Sequence, residues 1–343
     1  MKKFLLLLFV LIVAAIAGVA WYGYNDYRSS LDEPLNIPAA GITYTLKPGT
    51  SMKSLALDLE QQGLIERALF LEAYAREVGL DSKIKAGEYQ LEAGLNSKDL
   101  LSLFVEGKTV QYRFSIIEGT RFQDALKVIA GLDDVQHTLS DQDFVARFKE
   151  LTGEDHPEGW LFPDTYYYPK DITDIQLIKN AYEMTQKTLM ELWQDREEGL
   201  PLDTPYEALV LASIVEKETA VADERPTIAG VFINRLRKGM KLQTDPTVIY
   251  GMGDAYQGNI RKKDLKTDTP WNTYTREGLP PTPISTAGRE AIEAVLHPEK
   301  TSALFFVASG GGRHAFTETY EEHRQAVIKY QLGGNASRYK GDE

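Results

Sequence analysis

The chain is predicted to be an α+β protein: an apolar N-terminal helix, a small mixed α/β module beside it, and a mainly helical remainder. Three observations predict this. Residues Phe4 to Tyr22 carry no charge and are mostly aliphatic; a strand–glycine–helix motif appears three times between residues 44 and 126; and apolar residues recur at helical spacing in the second half, most plainly from Glu207 to Ala220.

The apolar run has 19 residues behind Lys2 and Lys3. At about 1.5 Å per residue it spans about 28 Å, the hydrocarbon thickness of a bilayer. The lysines place residues 1–3 on the cytoplasmic side, and Trp21, Tyr22 and Tyr24 suit the far interface. A cleaved signal peptide competes, because Ala15-Ile-Ala17 and Gly18-Val-Ala20 resemble cleavage sites. The length of the run favours an uncleaved single-pass anchor over residues 4–22. Residues 23–40 are polar, contain Pro34 and Pro38, and read as a linker.

The repeated motif comes next. Tyr44-Thr-Leu-Lys-Pro-Gly49-Thr-Ser-Met-Lys-Ser-Leu55 is a strand, a turn and a helix start. Tyr89 to Leu100 repeats it around Gly94, and Arg113 to Leu126 does so around Gly119. Each glycine can take the positive φ of the turn, and Ser51 or Asn96 can cap the following helix. With a helix near Ala68 to Val78, two of these units form a module over residues 41–108. The pattern resembles a LysM-type module, which implies binding to N-acetylated glycans; a spacer that only positions the downstream domain is the alternative. Residues 109–200 read as a connecting subdomain. It holds a helix over Thr138–Leu151, the aromatic segment Glu158-Gly-Trp-Leu-Phe-Pro-Asp164-Thr-Tyr-Tyr-Tyr-Pro169, and helices around Gln176–Glu198. Aromatic rings with carboxylates suit a sugar-lined cleft and an anchored loop equally.

Composition removes several function classes. A net charge of −12 without a basic run argues against nucleic acid, which needs clustered Lys and Arg. There is no cysteine, hence no disulfide, thiolate metal site or Cys nucleophile. The five histidines form no HxxxH or comparable pair, so no metal is expected, and nothing calls for a cofactor. Gly310-Gly-Gly312 lacks the Lys-Ser/Thr of a phosphate loop and reads as a turn before a strand holding His314. Ser213 has no nucleophile-elbow context.

The candidate for chemistry is Glu218. Leu211, Ile214, Val215 and Glu218 follow the i, i+3, i+4, i+7 pattern of a buried stripe, whereas Glu216 falls on the opposite side beside Leu209, Ala212 and Ser213. A carboxyl held against apolar side chains resists ionisation, and its pKa rises towards that of a general acid. A structural glutamate satisfied by an arginine or a helix N-terminus is the alternative.

Several ordered segments carry a family resemblance. They are Glu158 to Tyr166, Ala212-Ser-Ile-Val-Glu-Lys-Glu218-Thr, Asn234 to Tyr250, Trp271-Asn-Thr-Tyr274 with Gly278 to Ile284, Phe306 to Gly310, and His314 to Tyr320. Together they resemble the YceG-like family from the anchor to about residue 330. Thr286-Ala-Gly288 departs from the Pro-Gly turn expected there, and touches only a loop. The resemblance implies a catalytic domain over residues 201–333; the small, polar residues 334–343 read as a flexible tail. It also implies a lytic transglycosylase that cleaves the β-1,4 bond between N-acetylmuramic acid and N-acetylglucosamine in nascent peptidoglycan strands. The product is a 1,6-anhydro end, and elongation terminates. Glu218 occupies the position of the family's catalytic glutamate, with Glu216 as second choice. Gln243, Asp245, Asn272 and Tyr274 lie in matching segments as candidates for holding the sugar and its acetamide; turn or core roles remain open for each. The implied location is the cell inner membrane with the bulk periplasmic, and peptidoglycan synthases (penicillin-binding proteins) are the implied partners. Two other readings remain: a hydrolase using a second carboxylate such as Asp245 or Asp164, and a non-enzymatic glycan-binding scaffold.

Overall fold

The computed structural model describes residues 2–140 and 144–339. Met1, the last four residues of the expected tail, and residues 141–143 of the helix expected over 138–151 lie outside them. Contacts divide the chain into two compact units, residues 1–112 with 167–170, and 113–166 with 171–343.

In the first unit α1 (Lys2–Asp32) is followed by β1 (Ile42–Leu46), α2 (Met52–Gln61), α3 (Ala68–Glu77), β2 (Gly87–Leu91) and α4 (Ser97–Glu106). β1 and β2 pair antiparallel, Tyr44 opposite Tyr89. Their inward residues Tyr44, Leu46, Tyr89 and Leu91 close a core with Leu55, Leu59, Leu71, Leu100 and Phe104 from the helices. The motif behaves as its residue types dictate. Gly49 and Gly94 take φ of +78° and +94°, the Ser51 hydroxyl accepts from the Ser54 amide, and Asn96 forms a capping box with Asp99.

The segment expected as a linker is different. α1 runs ten residues past Tyr22 to Asp32, with Leu31 buried, and Leu35 and Ile37 belong to the core. Asp26 pairs with Arg67, Asp32 with Lys98, and the Tyr27 hydroxyl donates to Glu77. Polar composition read as a tether because several of these polar side chains have distant partners that spacing does not reveal.

Residues 167–170 return to this unit, where Glu88 is buried. Its carboxylate accepts from the Tyr112 hydroxyl at 2.6 Å and from the Lys170 ammonium at 3.0 Å, and these bonds hold its pKa below the ordinary value. A depressed pKa stabilises the fold above the unfolded value and is lost as pH falls through the folded one. Glu88→Gln is therefore expected to cost about 1–2 kcal/mol near neutral pH. In thermal melts the deficit against wild type should shrink as pH falls below the ordinary glutamate value; a deficit independent of pH would contradict the ion pair.

The second unit is helical around short strands. β3 (Gln111–Ser115) enters it and is followed by α5 (Phe122–Ala130), β4 (Val135–Gln136), α6 (Phe144–Thr152), β5 (Thr165–Pro169), β6 (Ile172–Thr173) and α7 (Asp174–Gln194). Then come α8 (Pro205–Glu218), α9 (Arg225–Arg237), α10 (Asp245–Met252), α11 (Lys262–Lys266), α12 (Arg289–Leu296), the hairpin β7 (Phe305–Gly310) and β8 (Arg313–Thr317), and α13 (Tyr320–Tyr330). β3 pairs with β5, β4 with β6 in parallel, and β7 with β8 antiparallel. α8 is the hub, packed on by α7, α9, α10 and α12. α7 packs directly on α8 and α12 within the second unit.

Candidate active site

α8 starts on built-in signals. Thr204 accepts from the Glu207 amide, Pro205 occupies the first turn, and Glu207 adds a carboxylate at the positive end of the helix. Every residue from Ala208 to Val215 is buried, so the helix is enclosed on all sides rather than along one stripe. Ser213 is a packing residue: its hydroxyl donates to Val210 and accepts from the Ile284 amide. The helix stops at Glu218, where Thr219 turns to an extended backbone. Glu218 thus sits at the exposed end of a buried rod.

Surrounding atoms desolvate the Glu218 carboxyl and raise its pKa from the ordinary value to about 7. The Thr244 hydroxyl donates to its Oε1 and, with the His314 ring, opposes the rise, while the Asp245 charge adds to it. Thr244 is itself fixed. Its amide donates to Thr273 Oγ1 at 3.1 Å, and the Thr247 hydroxyl donates to the Thr244 carbonyl at 2.8 Å while contacting Thr273 at 2.8 Å. His314, on β8 after glycines 310–312 that all have positive φ, is held through Nδ1 and its amide by the buried carboxylate of Glu224.

Gln243 and Asp245 are exposed on either side of buried Thr244. Gln243 has φ of +51°, a left-handed backbone unusual for a residue other than glycine. Its amide donates to the Thr273 carbonyl, and its side-chain oxygen accepts from Arg235. Asp245 accepts from the Tyr274 hydroxyl at 2.7 Å, so these two expected residues meet at the site. Asn272 has the bonds of the turn role left open for it. It is buried, its amide donates to the carbonyls of Asp264, Leu265 and Thr267, and its oxygen accepts from the Tyr274 amide. Those bonds shape a loop and leave the amide nothing to offer a sugar.

Glu216 lies with Ser213 on the side of α8 that meets residues 284–288, away from the Thr244 contact of Glu218. Its side chain is buried and accepts from the Gly288 amide at the start of α12, with Arg225 at 3.6 Å. It matches the structural alternative: a glutamate satisfied by a helix N-terminus and an arginine. Asp164 lines a 260 Å³ cavity with Glu216 and Arg225, apart from Glu218. A 450 Å³ cavity opens at Thr204, Tyr206 and Glu207, the far end of α8. Over a helix of this length that is about 20 Å from Glu218, so cavity size does not locate the carboxyl. Among the described residues no group of three His, Asp or Glu side chains is arranged to hold a metal ion.

The sequence profile of the YceG-like family matches residues 44–329. The chain belongs to the YceG-like family. An endolytic murein transglycosylase of Bacillus subtilis is 31% identical over 89% of this YceG-like chain and 89% of its own length. One of Streptococcus pneumoniae is 28% identical over 96% of this chain, which spans 65% of that relative. The crystal structure of a YceG-like protein from Listeria monocytogenes is 32% identical, covers 83% of this chain and 98% of its own, and superposes with a TM-score of 0.53. The mixed helix and strand architecture is therefore the YceG-like fold.

Within this YceG-like chain the sequence pattern does not reveal that Glu158 is also a raised carboxylate. Burial lifts the Glu158 pKa to about 7, against bonds from the Phe122 amide at 2.9 Å and the Tyr250 hydroxyl at 3.0 Å. The third strand–glycine–helix unit lacks a capping side chain, since Arg121 stands at the cap of α5, and Glu158 supplies the acceptor from elsewhere. Thr244, His314 and Glu224 are likewise site neighbours that the pattern does not single out. Thr244-Asp-Pro is the only local signal, a short hydroxyl before a proline-led helix.

Proposed function

We propose that this chain is an endolytic murein transglycosylase, as its relatives are named, and that Glu218 is its acid and then its base. The observation that carries the assignment is a half-buried carboxyl at the C-terminal end of a buried helix, with its pKa raised to about 7 and its oxygen hydrogen-bonded to Thr244. About half of such a group is protonated at neutral pH. The protonated form donates to the glycosidic oxygen of N-acetylglucosamine as the bond to C1 of N-acetylmuramic acid breaks. The resulting carboxylate takes the proton of the muramyl C6 hydroxyl, whose oxygen attacks C1 and closes the 1,6-anhydro ring. No water is consumed, and the second carboxylate of most glycoside hydrolases has no task here. Asp245, engaged with Tyr274, raises the Glu218 pKa; together with Gln243 it lines the exposed approach to the acid.

In this reading α1, long and apolar enough to cross a membrane, is the single-pass anchor with residues 1–3 cytoplasmic and the rest periplasmic. The β1-α2-α3-β2 unit is a LysM-like module whose glycan site is the 440 Å³ groove between Gly49–Lys53 and Asp81–Ile84, floored by Glu72 and Arg76. The catalytic domain comprises residues 201–333. Nascent peptidoglycan strands are the substrate, and peptidoglycan synthases the partners. The relatives' names favour this over a hydrolase or a binding scaffold.

The test separates the two glutamates on α8. With purified full-length protein and un-cross-linked strands, Glu216→Gln is expected to keep cleavage within about tenfold of wild type. Wild-type kcat/KM should fall about tenfold per pH unit above about pH 7, as the acid form is lost. Loss of activity with Glu216→Gln, or a flat profile to about pH 9, would move the acid away from Glu218.

A further inference from the structure

The outer face of α3 is placed to meet lipid. Tyr27 packs on Phe70 with ring centroids 5.5 Å apart, Asp26 pairs with Arg67, and Leu31 four residues on is buried with the core. α1 therefore passes α3 first and the core second, so the side of α3 turned from the core looks back along α1 towards its N-terminus. Ala68, Leu71 and Ala75 face the core, and by helical spacing Leu69 and Ala73 face the other way. Leu69 is a large apolar residue left 69% exposed there.

The distances agree. Asp26 lies four residues beyond Tyr22, the last residue of the apolar run, or about 6 Å along the helix. A helix with its side chains has a radius of about 5–6 Å, and the headgroup layer on each side of the hydrocarbon is about 5–7 Å deep. A helix crossing α1 at Asp26 and Tyr27 thus lays its outer face inside the headgroup layer. Trp21, Tyr22 and Tyr24, all well exposed, continue the same band. Of the charges on and beside this face, Arg67 pairs with Asp26 and Glu77 with Arg28 and the Tyr27 hydroxyl, while Glu66 is an exposed carboxylate, so Leu69 and Ala73 supply the apolar contact among polar neighbours.

We propose that α3, through Leu69, docks into the headgroup region of the bilayer that α1 crosses, so that the module rests on the membrane. The proposal rests on the reading of α1 as an anchor, and the test keeps the two apart. The chain has no cysteine, so single cysteines can be labelled cleanly with an environment-sensitive fluorophore in the full chain, reconstituted into phosphatidylglycerol/phosphatidylethanolamine vesicles carrying headgroup-level or chain-level spin-labelled lipid. The positions are Leu69→Cys, Val13→Cys within the apolar run, and Thr45→Cys on the exposed face of β1; all three side chains are exposed. Headgroup-level quenching at position 69 is expected to exceed that at position 45 at least twofold, with chain-level quenching strongest at position 13. Equal quenching at 69 and 45 with position 13 quenched would overturn the docking and leave the anchor standing. No quenching at position 13 would overturn both.

Discussion

Glu218→Gln is expected to lower glycan cleavage by about three orders of magnitude, within the range general acid–base groups contribute, while making the protein more stable at alkaline pH. Both effects have one origin. The folded pKa of about 7 lies above the ordinary value of 4.5, so the folded state binds more protons than the unfolded state between them. Its stability therefore falls as pH rises through that window. Glutamine keeps an oxygen to accept from Thr244 and carries no charge to desolvate. The gain should reach about 2 kcal/mol at pH 8, discounted for solvent at a partly exposed site, and vanish near pH 4. Melting curves of wild type and variant at both pH values check this. A variant less stable than wild type at pH 8, or one retaining a tenth of the activity, would show that Glu218 is a structural group.

The second large effect is expected at Arg235, which no sequence pattern marks. Its buried guanidinium donates to the carbonyls of Leu304 at 2.6 Å and of Lys241 and Leu242 at 3.0 Å each, and to Gln243 Oε1 at 3.2 Å. It also lies 5.0 Å from the Phe305 ring. It thereby ties α9 to β7 and to the backbone leading into Gln243 and Thr244. Arg235→Leu leaves three carbonyls unpaired, and is expected to cost about 3–5 kcal/mol. Arg235→Lys should recover little, because one ammonium cannot reproduce the fork. Both variants should lose kcat more than KM, since the Thr244 hydroxyl moves relative to Glu218. A melting temperature unchanged in Arg235→Leu would contradict this role.

The contrast between these residues marks what is legible in the sequence. Glu218 is legible because α8 is long, capped by Thr204 and Pro205, and ends on a carboxylate beside aliphatic residues. Periodicity sets Glu216 on the Ser213 side of α8 but does not show its burial or its bonds to Gly288 and Arg225, because α8 is enclosed all round. The repeated strand–glycine–helix units are legible because glycine and cap residues act over a few positions. Glu158, Asn272, Arg235 and the helix beyond Tyr22 are not, because their partners stand 5 to 92 residues away. Local pattern finds elements and their caps; the bonds that gather a site come from tertiary contacts.

The water-free reaction proposed for Glu218 is tested most directly by the mass of the ends it would make. Un-cross-linked glycan strands digested with the purified full-length protein should yield muramyl ends one water lighter than reducing ends, with none from Glu218→Gln. Reducing ends alone, or anhydro ends made at the wild-type rate by Glu218→Gln, would contradict the account.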